Sequence, residues 1–220
     1  MYRIRWNFQF LYKKYFRTQN ADRHLLSISK ELVMKKFATF LLRIMGWRVT
    51  HGMPEGIPKA VIIMAPHTSN IDFVFGKLGF ISQGVRAKTI IKKESFFFPL
   101  GIILKALGAI PMDRGFSTGT IKKVTKLMEE SDSFFILITP EGTRKLVKTW
   151  KKGFYFLAEQ AKVPIIMGFL DYKTKTGGLG PVLYPSGNYE EDLKIIQEFY
   201  KDKQARHPEK FNLSPENLQD

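Results

Sequence analysis

The chain has 220 residues, 44% of them hydrophobic, with 35 Lys and Arg against 20 Asp and Glu and no cysteine. That length supports one compact domain with a sizeable core and a smaller appendage, and argues against two full domains. The absence of thiols excludes disulfides, thiolate metal sites and cysteine nucleophiles and fits a reducing compartment, while a formal charge of +15 points to anionic partners such as phosphorylated ligands, an anionic membrane surface or nucleic acid.

The charge is uneven: residues 1–50 carry eleven basic and two acidic side chains. The opening residues Met1 to Trp6 lack the apolar run and small-residue cleavage site of a signal peptide. No uncharged stretch reaches the ~20 apolar residues needed to span a bilayer. The longest candidate, Ser95 to Leu104, is broken by Pro99 and Gly101. Nineteen phenylalanines suit a large apolar ligand.

In chain order, residues 3–17 project Phe8, Leu11, Tyr12, Tyr15 and Phe16 along one side of a helix and Arg3, Lys13, Lys14 and Arg17 along the other. This is the pattern of an interfacial amphipathic helix on anionic lipid, although a terminal helix packed on its own domain has the same periodicity. At about 1 kcal/mol per basic residue, the cations here supply at most ~5 kcal/mol at a charged membrane. A second helix is expected from Ser29 or Lys30 to Met45, ended by Gly46. Its apolar residues (Val33, Met34, Phe37, Phe40, Leu41, Ile44) cover about half its circumference, so it sits between two apolar partners or lies on lipid. A loop with Gly52, Pro54, Gly56 and Pro58 then places the boundary of the appendage near residue 52. The expected organisation is an N-terminal helix pair at 1–51, a catalytic domain at 52–205 and a polar, loosely held tail at 206–220.

Ala60 to Ala65 is short, apolar and rich in β-branched residues, as in a strand buried on both faces of a parallel sheet. Pro66 ends it. Thr68, Ser69 and Asn70 are all good helix N-caps, and Ile71, Phe73, Val74, Leu78 and Phe80 follow with helical spacing. His67 and Asp72 therefore flank a strand-to-helix turn, where open α/β sheets place their ligands. Further strands are expected at Val85 to Ile91, Gly108 to Met112, Phe134 to Ile138, Val163 to Leu170 and near Val182. Helices are expected within Phe96 to Leu107, at Thr120 to Glu130, Gly153 to Lys162 and Glu190 to Ala205, with a hairpin over Lys173 to Gly180. The alternation predicts an α/β fold: a central, mainly parallel sheet flanked by helices, with the N-terminal amphipathic helix pair attached.

A histidine titrates near neutrality and can take a proton from a hydroxyl when its other ring nitrogen is held by a carboxylate. Residues five apart in a continuous helix are rotated by roughly 140°. His67 and Asp72 can pair only if the helix starts between them. The alternative is a capping histidine beside an ordinary first-turn aspartate. A second polar turn, Pro140-Glu141-Gly142-Thr143-Arg144, ends another central strand, and Lys145, Lys148, Lys151 and Lys152 follow with no acidic residue before Glu159. Such a basic edge beside glycine-provided amides suits a phosphate monoester. Arg114 follows a third strand-like segment and is a candidate anion clamp.

Together these blocks resemble the glycerolipid acyltransferases, best known through the 1-acylglycerol-3-phosphate acyltransferases. His67-Thr-Ser-Asn-Ile-Asp72 fits their His-x4-Asp motif, Gly108 to Arg114 the second block, Pro140 to Arg144 the third, Val163-Pro-Ile165 the fourth, and Lys93-Glu94 a pair often found between the first two. The resemblance spans roughly residues 58–170. It implies an O-acyltransferase in which His67 is the general base and Asp72 orients it. Arg114, Glu141, Gly142, Thr143, Arg144 and Lys93 would bind substrate. The donor would be an acyl-CoA or acyl carrier protein thioester and the acceptor a lyso-phospholipid, with no cofactor, metal or nucleic acid. It also implies that the N-terminal helix pair holds the enzyme peripherally on the cytoplasmic side of a membrane. Sheltering about ten acyl carbons is worth ~8 kcal/mol, and Phe96, Phe97, Phe98, Leu100, Ile102 and Ile103 are candidates to line the groove. Pro66 and Pro111-Met112-Asp113 depart from the usual pattern beside the histidine and the arginine. A different lipid acceptor, a thioester hydrolase with the same His-Asp pair, and a binding module without chemistry remain as alternatives.

Overall fold

The computed structural model describes residues 29–112, 117–215 and 217–218. The amphipathic segment 3–17 and Arg114 lie outside them. Helix α1 occupies residues 29–44. Gly46, at φ +77°, then reverses the chain in the left-handed conformation that glycine adopts most easily. The elements that follow are β1 (Arg48–His51), β2 (Lys59–Ala65), α2 (Asn70–Gln83), β3 (Ala87–Lys92), α3 (Leu100–Ala106), β4 (Ala109–Met112), α4 (Thr118–Glu129), β5 (Phe134–Ile138), α5 (Gly153–Ala161), β6 (Ile165–Asp171), β7 (Thr176–Leu183) and α6 (Tyr189–Tyr200).

The strands form one sheet in the order β1-β7-β6-β2-β5-β3-β4. Only the β6/β7 hairpin is antiparallel. The fold is thus the expected mainly parallel α/β sheet with helices on both faces. β2 is central, pairing with β5 from Lys59 to Ile63 and with β6 from Val61 to Ala65. Its alternate residues divide the interior. Val61, Ile63 and Ala65 pack with α4, α5 and α6 on one face, and Ala60, Ile62 and Met64 pack with α1 and α2 on the other.

The two faces meet solvent differently. On α1, Val33, Phe37, Phe40 and Ile44 are exposed, Ile44 at 67%. On and before α3, Phe97, Phe98, Ile102 and Ile103 are exposed as well, Phe98 at 83%. Lys77 of α2 donates to the Leu107 carbonyl at the end of α3, which places α3 beside α2 on the α1 side of the sheet. Phe97 and Phe98, expected to wall a groove, are therefore exposed, and among the described residues nothing covers their apolar face.

Two boundaries differ from expectation. β1 falls within the segment assigned to the appendage, yet it pairs with β7, and Leu42 and Trp47 belong to the core beneath the sheet. The appendage and the sheet share one interior. At the other end, Ala205, Phe211, Leu213 and Ser214 are buried, the Trp150 indole donates to Asn212 Oδ1 (2.9 Å), and the His207 N–H donates to Thr68 Oγ1 (3.2 Å). A few apolar anchors in a polar sequence are enough to seat this segment as a strap across the carboxyl edge of the sheet.

Phe211 is fully buried in the larger core. Phe211→Ala is expected to cost about 3–5 kcal/mol of unfolding free energy in denaturant titrations. A loss under about 1 kcal/mol would mean that the strap is not part of the cooperative fold.

Candidate active site

The site forms where β2 and β5, neighbours in the sheet, deliver their turns. The helix after β2 packs on one face and the helix after β5 on the other, so the chain leaves a crevice at the carboxyl ends of these strands. His67 follows β2 directly, after a cis Ala65–Pro66 bond.

Ser69 is the N-cap of α2, in extended conformation, and with Asp72 it forms a capping box: each side chain accepts from the other's backbone N–H. The helix therefore begins between His67 and Asp72, as their pairing requires. Asp72 Oδ2 accepts the N–H groups of Thr68 and Ser69, both at 2.8 Å. The same oxygen lies 3.4 Å from His67 Nδ1. That is longer than an ordinary hydrogen bond. Among the described residues no hydrogen bond engages Nε2 of His67, so this nitrogen is available to a reacting hydroxyl. Asp72 Oδ1 accepts the Tyr172 hydroxyl at 2.5 Å. Burial pushes the Asp72 carboxyl up, but hydrogen bonds from His67, Tyr172 and Ser69 outweigh it and hold the group below its usual range.

Glu141 enters from the β5 turn. Its Oε1 accepts the His67 N–H at 2.9 Å, and its Oε2 is buried with no hydrogen-bond partner among the described residues. Burial pushes its carboxyl up to about 7, against the pull of the His67 N–H. Gly142, at φ +65°, turns the chain next, and a Cβ built there would lie 2.8 Å from the Lys151 side chain, so this lysine lies close over the turn. Thr143 Oγ1 accepts the Lys145 N–H, and Arg144 is exposed. Lys152 is drawn away to Glu190 of α6 at 2.9 Å. Lys93 opens a short 3-10 helix after β3 and is exposed.

A model of the Acyltransferase family matches residues 48–167, more than half of the chain. The chain belongs to the acyltransferase family. No curated protein sequence matches this acyltransferase. Among solved structures, the fold is similar to that of the crystal structure of the 1-acyl-sn-glycerophosphate (LPA) acyltransferase PlsC from Thermotoga maritima. The two share 15% sequence identity and a TM-score of 0.56, over 89% of this chain and 91% of that one.

The structure brings His67, Asp72 and Glu141 into one cluster, with Gly142 and Thr143 in the adjoining turn. It adds Tyr172, which sequence reasoning missed. The signal was available: Asp171-Tyr172 ends β6 on the same sheet edge as the other polar turns.

The Glu141 carboxyl carries a testable pH dependence. With a folded pKa of about 7 against an ordinary 4.5, it binds its proton more tightly when folded, so its contribution is most favourable at low pH and is lost as pH rises through that window. The difference amounts to about 3 kcal/mol. Glu141→Gln keeps an oxygen for the His67 N–H and removes the titration, so the variant should gain stability relative to wild type between about pH 5 and about pH 8. An unchanged difference in denaturation midpoint across that range would refute the assignment.

Proposed function

We propose that this acyltransferase moves a fatty acyl group from an acyl-CoA or acyl carrier protein thioester to the hydroxyl of a lyso-phospholipid, with 1-acylglycerol-3-phosphate as the first candidate. The observation that carries this reading is the His67–Asp72 pair at the carboxyl end of β2, its Nε2 open, beside a basic turn. His67 takes the proton of the acceptor hydroxyl, and the resulting oxygen attacks the thioester carbonyl carbon. The C–O bond forms, the C–S bond breaks, and the departing thiolate recovers the proton from the imidazolium. Asp72 stabilises that imidazolium. Arg144, Lys93 and Arg114 supply cations for the acceptor phosphate, and Gly142 and Thr143 supply turn amides. Glu141 holds the His67 backbone through one oxygen and has the other left for the acceptor.

The acyl chain needs apolar surface next to this chemistry. A cavity between α1, α2, β6 and β7 is lined by Leu42, Trp47, Met64, Phe75, Phe80 and Leu170 among others. Trp47 and Phe75 also touch the Tyr172 ring beside Asp72. This small cavity has room for part of the acyl chain, and the exposed apolar residues on and before α3 are candidates to cover the rest.

We place the enzyme peripherally on the cytoplasmic face of a membrane, and those exposed residues support the membrane contact. No helix among the described residues is long and apolar enough to cross one. The apolar rows of α1 and α3, exposed among the described residues, share a side of the sheet, and the protein is strongly cationic, as contact with anionic lipid favours.

The deciding assay measures CoA released from a long-chain acyl-CoA by purified protein, with and without a panel of lyso-phospholipids. Release should require one of them and fall ~10²- to 10⁴-fold in His67→Ala and Asp72→Asn. Near-normal transfer by His67→Ala would overturn the mechanism, and release without any acceptor would establish a hydrolase instead. On anionic vesicles, Phe40→Asp and Phe98→Asp should each weaken co-sedimentation roughly tenfold or more, since a buried Phe contributes about 1.5–3 kcal/mol. Unchanged partitioning would remove the membrane assignment.

A further inference from the structure

Asp72 is held by more than its own turn. Both backbone N–H bonds and the contact with His67 fall on Oδ2. Those contacts restrain the carboxylate through one oxygen. Among the described residues its other oxygen accepts from one group, the Tyr172 hydroxyl at 2.5 Å. The phenol ring is itself confined. Trp47 meets it edge-on at 4.9 Å and Phe75 at 6.2 Å, and Trp47 and Phe75 stack on each other at 4.5 Å. The Tyr172 N–H donates to the Gln204 carbonyl at 2.9 Å, which ties the residue to the C-terminal strap. A tyrosine whose ring and backbone are both anchored, and whose hydroxyl bonds the carboxylate that faces the histidine, does more than a packing residue needs.

We infer that Tyr172 is a positioning residue for catalysis: its hydroxyl orients the Asp72 carboxylate toward His67 Nδ1 and draws charge from it. The assignment rests on the acyl-transfer reading above for its kinetic consequence, and on the geometry alone for its effect on Asp72. The groups facing Asp72 are His67 from its own turn, Tyr172 from the β6/β7 turn with Arg206 of the strap acting on the phenol, and Glu141 from the β5 turn, which feels the Asp72 charge. Without the phenol donor, Asp72 loses one of the bonds that keep its carboxyl ionised.

Tyr172→Phe removes one oxygen and keeps the ring between Trp47 and Phe75, so the variant should melt close to wild type. Two readouts then decide. In the full chain labelled with 13C-carboxyl aspartate, with Asp72 assigned by comparison with Asp72→Asn, the Asp72 titration midpoint should rise in Tyr172→Phe. In the acyl-CoA assay, kcat should fall roughly tenfold with KM little changed, as expected for a hydrogen bond to a charged group. The same substitution made on top of Asp72→Asn should cost nothing further, because its effect passes through the carboxylate. An unmoved Asp72 midpoint, or a loss that adds fully to that of Asp72→Asn, would overturn the inference. A wild-type enzyme inactive with every acceptor, together with a midpoint that still moves, would reject the proposed reaction and leave the role of Tyr172 in orienting Asp72 standing.

Discussion

The site depends on one carboxylate accepting two backbone N–H groups. Asp72 closes the capping box of α2 and, with the same oxygen, faces His67. A helix N-terminus has unpaired N–H groups that must find acceptors, and a carboxylate in the first turn satisfies them while favouring the positive end of the helix dipole. Here that local need fixes the chain reversal that sets the histidine opposite its partner. Helix start and the His67–Asp72 pair are therefore one structure. A side chain that lost the cap would also lose the alignment of His67 with its carboxylate.

Around this turn, three other segments converge on the same sheet edge. The β5 turn reaches the His67 N–H through Glu141, the β6/β7 turn reaches Asp72 through Tyr172, and the C-terminal strap reaches Thr68 through the His207 N–H. Each contact comes from a different part of the sequence, and each is positioned by a strand end or by buried anchors such as Phe211. The rigidity of the site comes from the parallel arrangement of β2, β5 and β6, which delivers their turns side by side.

Much of this was legible beforehand, and the reasons for success and failure are physical. β2, β5 and β6 were visible because strands deep in a sheet need short runs of apolar residues, and Pro66 and Pro140 mark where two of them stop. The helix start was visible because Thr68-Ser69-Asn70 offers three capping residues and Asp72 lies at the right distance from the second. β1 was hidden: Arg48 to His51 is short and polar at all but Val49, and it becomes a strand only because β7 is there to pair with it. The α3 region misled because an apolar row states what it avoids and not what covers it. Phe211 and Leu213 were lost in a polar stretch because burial of a strap depends on the notch it enters, which no local pattern records. Tyr172 was missed because its meaning lies in a carboxylate a hundred positions earlier.

The alternation along β2 has a further consequence. Adjacent residues of one short strand belong to different halves of the molecule: Ile62 packs on the side of Trp47, Phe75 and the exposed apolar rows, and Ile63 on the side of Phe154, Tyr200 and Phe211. Parity of position thus sorts the effects of substitution. Even-numbered changes disturb the layer that props the ring beside Asp72, so they reach the chemistry. Odd-numbered changes load the layer that carries most of the interior volume, so they are felt first as loss of fold. Two neighbouring positions of equal burial in the same strand can therefore fail in different ways, one as a catalyst and the other as a solid.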